Sequence, residues 1–435
     1  MSDLLSTFTQ QTIRPAHNLT GSLRIPGDKS ISHRYALLGA LAEGVTRLQN
    51  FSTGADCASS LECARQLGAR VTRSGNAVEV EGCAGNLKAP EAALDCGNSG
   101  STMRMLSGLL APQQGEFTLF GDASLNRRPM ERVRKPLMQM GASIELTEGH
   151  APMIIRGAPL QGIFYETPVP SAQVKTALLF AGLQAHGTTT VREAVRTRDH
   201  GELALRAFGA QLQRTKDTVE IAGGQKLQGI EATVPGDLSS AAFFLCAAAL
   251  FHGSNLVLDQ LGMNPTRASL LDVLTGLGAK INVLNLEEHN GELTGTLQLT
   301  APPEGLGSTE ISGGLAAQLI DELPVLAAIA PYTRGGIRIR DAKELRVKES
   351  DRIALVARNL RAMGAEVEEF EDGLFVPGNQ KLHGAEIDSG SDHRIAMAFS
   401  IAALRADGQT MIHGADAAAI SFPEFFDMLE SVVER

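Results

Sequence analysis

The sequence predicts an α/β (α+β) protein of two halves, built from six copies of a strand-helix-strand-helix-strand unit. A glycine-containing tetrad that closes a helix and opens a strand recurs at intervals of about 70 residues. A second set of six helices alternates with these copies. A Pro-Gly-Asp turn occurs twice, half the chain apart, and divides the six units into three and three.

The recurring tetrad marks the end of one helix in each unit. Glycine directly after a helical pattern is typical of a left-handed cap, because glycine adopts a positive φ without steric penalty. Each copy is followed by a short strand-like run, and the sixth unit lacks the signature. The five copies are LGARV at Leu67, MGASI at Met140, FGAQL at Phe208, LGAKI at Leu277 and MGAEV at Met363.

The second set of helices supplies the other helix of each unit. Every member ends near a glycine and is followed by another strand-like run. In chain order they are DKSISHRYALLGALAEG, GNSGSTMRMLSGLLAPQQG, SAQVKTALLFAGLQAHG, GDLSSAAFFLCAAALFHG, DELPVLAAIAPYTRGG and SDHRIAMAFSIAALRADG.

The Pro-Gly-Asp turns define the predicted domain boundary. They lie in IPGDKSIS at Ile25 and VPGDLSSA at Val234. One copy alone is explained by a turn followed by an aspartate cap. Two copies half the chain apart indicate a repeated half instead. We therefore predict one domain over residues 28–236 and a second over 1–27 plus 237–435, with the N-terminal segment returning to the second half.

Composition and charge limit the classes of partner. The 435 residues carry a formal net charge of -10 and no basic run, which argues against nucleic acid and anionic membranes. The longest apolar run, AAFFLCAAALF, is shorter than the roughly 18 residues of a membrane-spanning helix. The N-terminus lacks a signal or transit pattern, and five cysteines without CxxC spacing predict reduced packing residues. We expect a cytoplasmic protein, and a monomer.

Cations recur at the predicted helix starts, where the helix dipole disfavours them. Capping explains the Ser, Asp and Asn residues found there, but it does not explain the cations. An anion held between them is the more economical explanation. Two sets of such helix starts facing a shared cleft predict two small anionic substrates enclosed by domain closure. The cations are Lys29, Arg34, Arg128, Arg198, Lys348, Arg352 and Arg394.

Three carboxylates, Asp321, Glu349 and Asp392, interrupt this cationic pattern. A carboxylate among cations stays ionised and can accept a proton from a hydroxyl or pass one to carbon. Helix capping by the two aspartates and an internal salt bridge of the glutamate are the alternatives. The sequence contains no phosphate loop, no dinucleotide fingerprint, no metal-ligand spacing and no recognisable nucleophile beside a base.

Ten motifs in a fixed order extend over nearly the whole chain. They are PGDKSISHR, LDCGNSGSTMRML, NRRPM, PSAQVK, RDHGE, NPTR, DELP, ELRVKESDR, DHRIAMAF and SFPEFF. With these motifs the chain resembles the EPSP synthase family, the enolpyruvyl transferases of the shikimate pathway. The resemblance implies a two-domain inverse α/β barrel of six βαβαββ units, three per domain, with the active site in the cleft between the domains. It implies transfer of the enolpyruvyl group of phosphoenolpyruvate to shikimate 3-phosphate, with no metal or organic cofactor.

The resemblance also implies the roles of individual residues. Asp321 would accept the proton of the 5-hydroxyl, Glu349 would protonate the methylene carbon, and Lys29 is a candidate with Asp321 in both addition and elimination. Ser101 would lie beside the shikimate ring. Contacts to the shikimate phosphate are implied for Ser30, Arg34, Ser171, Ala172, Gln173 and Arg198. Contacts to phosphoenolpyruvate are implied for Lys29, Asn98, Gly100, Arg128, Arg352 and Arg394, with Lys348 near both substrates.

Two positions depart from the family pattern. Ser101 stands where threonine is common, which keeps the hydroxyl but loses a methyl group. Ile420 stands where many members have lysine, which removes one expected phosphoenolpyruvate contact. The forms SAQVK, RDHGE and NPTR resemble members that tolerate glyphosate, a competitor at the phosphoenolpyruvate site. We therefore expect tolerance, although Gly100 leaves space in that site.

Two alternative functions have their own signatures. An enolpyruvyl transferase acting on UDP-N-acetylglucosamine usually carries a cysteine before its Arg-Pro motif, and FGDASLNRRPM has none. A non-catalytic anion-binding protein on the same scaffold would lack the central carboxylates, whereas Asp321 and Glu349 are both present. The motifs therefore favour the shikimate 3-phosphate reaction.

Overall fold

The computed structural model describes residues 10–435, which form two compact units. The first unit comprises Pro26–Gly236 and Glu287–Thr294. The second comprises Asp237–Leu286, Gly295–Arg435 and the described part of the N-terminal segment up to Ile25.

Over residues 10–435 the chain forms 13 α-helices and 24 strands. The helices are α1 Lys29–Leu41, α2 Ala55–Gln66, α3 Gly100–Leu110, α4 Glu131–Gln139, α5 Ala172–Gly182, α6 His200–Ala207, α7 Leu238–Ala249, α8 Ser269–Gly276, α9 Gly313–Gln318, α10 Leu323–Ile329, α11 Arg352–Ala362, α12 His393–Ala403 and α13 Phe425–Val432. Short 3-10 helices cover Leu125–Arg127, Ala330–Tyr332, Lys343–Val347 and Ala415–Ile420.

The strands follow in chain order and are mostly short. They are β1 Gln10–Ile13, β2 Asn18–Arg24, β3 Val45–Gln49, β4 Arg70–Ser74, β5 Ala77–Glu81, β6 Leu94–Asp95, β7 Glu116–Phe120, β8 Ser143–Thr147, β9 His150–Arg156, β10 Phe164–Thr167, β11 Thr188–Glu193, β12 Leu212–Arg214, β13 Thr218–Ala222, β14 Glu231–Thr233, β15 Asn255–Gly262, β16 Lys280–His289, β17 Glu292–Thr300, β18 Ser308–Ile311, β19 Gly336–Ile339, β20 Glu368–Phe370, β21 Gly373–Val376, β22 Glu386–Asp388, β23 Thr410–His413 and β24 Val433–Glu434.

A βαβαββ repeat builds both units. In the repeat β6-α3-β7-α4-β8-β9, the sheet order is β6-β7-β9-β8, with β6 parallel to β7 and the other neighbours antiparallel. The same order recurs in β10-β11-β13-β12 and in β18-β19-β21-β20. The α/β fold class and the repeated unit predicted from the sequence are therefore confirmed.

Two repeats take their first strand from a distant part of the chain. Strand β14 lies parallel to β3, and β2 lies parallel to β15. Each of these borrowed strands is followed directly by one of the two Pro-Gly-Asp turns. The backbone N–H of Asp28 donates to the carbonyl of Pro235 over 2.8 Å, and Gly27 and Gly236 form an isolated antiparallel bridge. The two turns therefore lie side by side.

The sixth repeat is completed by the N-terminal strand. Its sheet has the order β1-β23-β22, with β22 parallel and β1 antiparallel to β23. After β23 the chain forms a 3-10 helix and α13, and its last strand, β24, pairs with β2. The sixth repeat lacks the glycine tetrad, and after β23 its chain continues differently from that of the other repeats.

The tetrad glycines end α2, α4, α6, α8 and α11, as the sequence predicts. At the first of these ends, Gly68 and Ala69 donate their backbone N–H groups to the carbonyls of Arg65 and Ala64, over 3.1 Å in both cases. A positive φ is required there, which glycine adopts without strain. The φ values are 105° at Gly68, 104° at Gly141, 95° at Gly209, 104° at Gly278 and 89° at Gly364.

The central helices form the core of each unit, which has its own cluster of buried apolar side chains. In the first unit α3 packs against α5, and α1 packs against α6. In the second unit α10, α12 and α7 pack together, and every residue of α7 is buried. All five cysteines are free thiols, and four of them are buried. Across the described residues, no helix is both long and apolar enough to cross a membrane.

Candidate active site

The starts of three central helices, α1, α3 and α5, lie together in the first unit. Each start is capped by the side chain before it. Asp28 Oδ1 accepts from the N–H of Ile31 over 2.9 Å, and the hydroxyls of Ser99 and Ser171 accept equivalent bonds over 3.1 Å and 3.3 Å. The remaining N–H groups of these first turns and the positive helix dipoles form a region suited to anions.

A glutamine joins the starts of α3 and α5. Gln173 Nε2 donates to the hydroxyl of Ser101, and its Oε1 accepts from Arg104 Nη1, both over 2.8 Å. The sequence analysis assigns roles to the glutamine and the serine but none to the arginine. The contact places the buried guanidinium of Arg104 beside these helix starts, in addition to those of Arg34 and Arg128.

Asn98, Gly100 and Arg128 form a second group at the start of α3. Arg128 Nη2 donates to Asn98 Oδ1 over 2.7 Å, and Asn98 Nδ2 donates to Asp122 Oδ2 over 2.7 Å. A Cβ atom at position 100 would lie 2.8 Å from Arg104 Nη1 and 3.3 Å from Arg128 Nη1. The two guanidinium groups can approach the helix start this closely because glycine has no side chain.

Lys29 at the start of α1 has a carboxylate partner that the sequence analysis missed. Its Nζ lies 3.0 Å from Oδ2 of Asp56, in the first turn of α2. Asp56 opens the second helix of its repeat, the region that supplies Arg128 and Arg198 in the next two repeats. Comparing the repeats at this position of the sequence could have identified Asp56.

Arg34 links α1 to α5 deep in the first unit. Its Nη1 donates to the carbonyl of Ser30 over 2.8 Å and its Nη2 to the hydroxyl of Thr176 over 2.9 Å. Burial lowers the pKa of Arg34 to about 10, against the raising effect of Glu202. The positive charge of Arg198 lowers this pKa further. The two arginines are therefore close enough to interact, and Arg34 stays protonated at neutral pH.

In the second unit, Arg352 at the start of α11 is surrounded by carboxylates. Its Nη2 donates to Glu349 Oε2 over 2.6 Å, and its Nη1 lies 3.7 Å from Oδ1 of Asp321. Lys348 Nζ lies 3.6 Å from the same Asp321 oxygen. Two carboxylates and two cations of the predicted site are thus linked by contacts through Asp321 and Arg352.

Asp392 belongs to this group as well as to the cap of α12. Its Oδ1 accepts from the N–H of Arg394 over 2.9 Å, and its Oδ2 accepts from Arg352 Nε over 2.8 Å. Capping therefore explains Asp392 only in part. Asp321 is not a cap, because α10 begins at Leu323 and its cap position is Glu322. Glu349 does form the internal salt bridge considered from the sequence.

Charge and burial shift the pKa values of this group. Burial alone lowers the pKa of Arg352, but Asp392, Glu349 and Asp321 outweigh it, so the pKa lies above its usual range. Burial also lowers the pKa of Lys348, and there it outweighs the carboxylates of Asp321 and Glu349. The arginine is thus a permanent cation, whereas the lysine gives up its proton more readily than usual.

Arg394 connects the starts of the three central helices of the second unit. Its Nη1 donates to the backbone carbonyl of Asp321 over 2.7 Å, and its Nη2 donates to the hydroxyl of Ser239 over 3.2 Å. That hydroxyl in turn donates to Glu322. The guanidinium is fixed by α7, α10 and α12 at once.

The predicted site residues thus lie in two clusters, one in each unit. Within residues 10–435, no group of three or more His, Cys, Asp or Glu side chains could hold a metal ion. Ile420 ends a 3-10 helix and is half-buried. The first cluster contains Lys29, Ser30, Arg34, Asn98, Gly100, Ser101, Arg128, Ser171, Ala172, Gln173 and Arg198, and the second contains Asp321, Lys348, Glu349, Arg352 and Arg394.

Comparisons with known proteins agree along the whole chain. A family model described as EPSP synthase (3-phosphoshikimate 1-carboxyvinyltransferase) matches residues 13–429. The chain is 65% identical to the 3-phosphoshikimate 1-carboxyvinyltransferase of Koribacter versatilis and 54% identical to that of Solibacter usitatus, in both cases over 97% of this chain and 99% of the relative. A solved structure of EPSP synthase from Acinetobacter baumannii superimposes with a TM-score of 0.85 at 40% identity, covering 98% of each chain.

Proposed function

The chain belongs to the EPSP synthase (3-phosphoshikimate 1-carboxyvinyltransferase) family, and from this membership we propose how its two residue clusters carry out the reaction. The chain transfers the enolpyruvyl (1-carboxyvinyl) group of phosphoenolpyruvate to the 5-hydroxyl of shikimate 3-phosphate. The products are 5-enolpyruvylshikimate 3-phosphate and phosphate. The reaction belongs to the shikimate pathway, which supplies chorismate for aromatic amino-acid biosynthesis.

The observation that carries the mechanism is the grouping of Asp321, Lys348, Glu349 and Arg352. One carboxylate lies 3.6 Å and 3.7 Å from two cations, and a second carboxylate is bonded to the same guanidinium. An acid and a base held among cations can exchange protons with little separation of charge. We assign Asp321 as the base toward the 5-hydroxyl and Glu349 as the acid toward the methylene carbon.

The first cluster provides the binding groups for the phosphate of shikimate 3-phosphate. Arginine and helix N-termini are the groups that bind phosphate best, through charge-assisted and backbone hydrogen bonds. The hydroxyl of Ser101, fixed by Gln173, lies beside the shikimate ring. The phosphate ligands proposed are Ser30, Arg34, Ser171, Ala172, Gln173 and Arg198.

Phosphoenolpyruvate is held by cations from both clusters. The oxygen of the 5-hydroxyl attacks C2 while its proton passes to Asp321, assisted by Lys29, and C3 takes a proton from Glu349. The tetrahedral intermediate then returns a proton from C3 to Glu349. The C2–O bond to phosphate breaks, and the leaving phosphate takes the electron pair of that bond and the proton that Asp321 had received. The cations stabilise the charge that develops on that leaving group. The proposed ligands of phosphoenolpyruvate are the cations Lys29, Arg128, Arg352 and Arg394, the amide of Asn98 and the backbone at Gly100, with Lys348 near both substrates.

Because these roles require groups from both clusters, we propose that domains 28–236 and 1–27 plus 237–435 close around the two substrates. Closure would exclude water and align the reacting atoms. We also propose that the chain works as a cytoplasmic monomer. The five free thiols support a reducing compartment.

The test is phosphate release from phosphoenolpyruvate in metal-free buffer, with shikimate 3-phosphate and UDP-N-acetylglucosamine supplied separately as acceptors. Release only with shikimate 3-phosphate is the expected result. Release only with the sugar nucleotide would assign the alternative transferase reaction. Release with neither acceptor, despite binding of shikimate 3-phosphate, would indicate a non-catalytic anion-binding protein.

A further inference from the structure

A buried ion network lies behind the phosphate-binding cluster of the first unit. The ammonium of Lys175, which has no exposed surface, lies 2.8 Å from Oε2 of Glu193 and 2.9 Å from Oε1 of Glu202. The two carboxylates are almost as fully buried. Arg214 Nη1 donates to the same oxygen of Glu202 over 2.8 Å. Lys175 and Arg214 thus share the carboxylate of Glu202, and Arg214, with 18% of its side chain exposed, also lies 4.0 Å from Asp199.

The network reaches the start of α5. The backbone N–H of Lys175 donates to the carbonyl of Ser171 over 3.1 Å, so this lysine belongs to the first turn of the helix. Ala172 and Gln173 of the same turn, and Ser171 that caps it, are the residues here that are assigned to the shikimate phosphate. Any displacement of the ammonium would therefore be transmitted to them through less than one turn of helix.

The network also fixes the turn between β11 and α6, which carries Arg198. Glu193 is the last residue of β11, and its Oε1 accepts from the backbone N–H of Thr197 over 3.2 Å and from the Thr197 hydroxyl. Glu202 lies in the first turn of α6. Carboxylates at both ends of the turn are thus bonded to one ammonium, and Arg198 lies between them in the chain.

Stability alone is a poor explanation for such a network. The loss of hydration of buried ions offsets most of their attraction, and apolar side chains of the same volume often stabilise a fold equally well. A fully bonded ionic network does hold its members in one geometry. In this unit it joins the first turn of α5 to the turn before α6, in addition to the packing of α5 against β11 and α6.

We propose that Lys175, Glu193 and Thr197 are positioning residues, which hold Arg198 and the first turn of α5 in register to bind a phosphate monoester. They touch no substrate themselves. The inference rests on the proposed assignment of these segments to the phosphate of shikimate 3-phosphate. The phosphoenolpyruvate ligands of the same unit lie on α1, on α3 and before α4, so they serve as an internal comparison.

The test compares Thr197→Val, which removes the hydroxyl at nearly constant shape, with Thr197→Ser, which keeps it. Glu193→Gln removes the charge of the central carboxylate. Thr188→Val, at the exposed opposite end of β11, is the matched control. For each variant and the wild type, calorimetry gives the Kd of shikimate 3-phosphate, initial rates give kcat and both KM values, and urea unfolding checks the fold.

Loss of a hydrogen bond to a charged group predicts that Thr197→Val and Glu193→Gln raise the Kd and KM for shikimate 3-phosphate about tenfold. The KM for phosphoenolpyruvate should stay within about twofold, and Thr197→Ser and Thr188→Val should match the wild type. Lys175→Met removes the cation bonded to Glu193 and one of the two bonded to Glu202. Because this loss can prevent folding, the inference is judged on the other variants.

The outcomes separate this inference from the proposed function. The wild type can bind and convert shikimate 3-phosphate while Thr197→Val and Glu193→Gln show an unchanged Kd for it. That result would overturn the inference and leave the function standing. Equal losses for both substrates would also overturn it, because they would indicate a general structural defect. A wild type that neither binds nor converts shikimate 3-phosphate would overturn the function, and the inference with it.

Discussion

Arg352 donates from Nε to Oδ2 of Asp392 over 2.8 Å, and both side chains are buried, with exposed fractions of 1% and 0%. Burial alone raises the pKa of Asp392, but the guanidinium, with His393, outweighs it and holds the pKa below the ordinary 3.8. The pair therefore joins the start of α11 to the start of α12 through two side chains that are both charged at neutral pH.

The first prediction concerns the pH dependence of this pair. A carboxylate whose pKa is lower in the folded chain contributes stability above its unfolded pKa and loses it as the pH falls through the folded value. Asp392→Asn should lower the free energy of unfolding by about 3 kcal/mol at pH 7, since it leaves a buried guanidinium with one partner fewer. Urea unfolding from pH 7 to pH 3 should show this difference shrinking in acid.

The matched control is Asp388→Asn. That aspartate pairs with Arg358 at the surface, with 61% of its side chain exposed, so the variant should change stability by no more than about 0.5 kcal/mol. A difference between wild type and Asp392→Asn that stays constant from pH 7 to pH 3 would contradict the pairing argument.

The second prediction separates catalysis from stability at Lys29. Lys29→Met should lower kcat/KM by at least about 100-fold, because it removes a cation that faces developing charge. It should also lower the melting temperature, since Asp56, with 8% of its side chain exposed, loses its counter-charge. Lys29→Met/Asp56→Asn should recover the melting temperature but not the rate. Lys216→Met, on the surface of the same unit, is the control, and near-normal turnover in Lys29→Met would refute the role.

The third prediction concerns space at the start of α3. Gly100→Ala should raise the KM for phosphoenolpyruvate about tenfold, because the new Cβ must displace the guanidinium groups of Arg104 and Arg128. Gly276→Ala in α8 is the matched control. Apart from its chain neighbours and the backbone of its own helix, no atom lies within 4 Å of its Cβ position, so the variant should leave the kinetics unchanged and raise stability by about 0.5 kcal/mol. Equal KM values in the two variants would count against the assignment.

The fourth prediction extends this argument to glyphosate. The motifs SAQVK, RDHGE and NPTR predict a tolerant enzyme, and an alanine at position 100 should increase tolerance further by narrowing the same space. Inhibition curves at saturating phosphoenolpyruvate measure both effects. Strong inhibition of the wild type at low glyphosate concentration would contradict the first, and an unchanged curve in Gly100→Ala would contradict the second.

The fifth prediction follows from the lowered pKa of Lys348. If its ammonium binds the substrates, kcat/KM should fall on the alkaline side at a pH below the ordinary 10.5. Stability should change in the opposite direction to kcat/KM and increase as the pH rises, because the folded chain disfavours the protonated form of Lys348. Lys348→Arg keeps its charge in base and should move the alkaline limb to higher pH. Superimposable pH profiles would reject the role of this ammonium.

Local sequence signals account for much of the fold. The glycine after α2, α4, α6, α8 and α11 predicts a positive φ from chemistry that lies within one turn of the chain. The pairing of strands that are distant in the chain cannot be predicted from such local signals. The residues of β14 do not indicate that its partner is β3 rather than the strand next in sequence, because such pairing is decided by packing across the unit.

The site divides along the same line. Cations at helix starts were visible in the sequence, since they oppose a dipole that the sequence itself predicts. The salt bridge of Glu349 could also be considered from the sequence, but partners far along the chain could not. Asp56 lies 27 positions from Lys29, and Glu193 lies 18 positions from Lys175, so only the folded chain shows that these charges meet. The sequence analysis took the cations as evidence of bound anions, and the structure adds that carboxylates of the chain itself neutralise several of them.

The sheet that contains the N-terminal strand β1 can form only late in the synthesis of the chain. Gln10 of β1 bonds to His413 of β23, 403 positions later in the chain. At the usual pace of a ribosome, the partner of β1 is made roughly 20–80 s after β1 itself is made. The body formed by Pro26–Gly236 can meanwhile begin to collapse on its own. A nascent chain stalled before residue 410 would therefore display an unpaired edge, and chaperones that recognise extended segments would find it there.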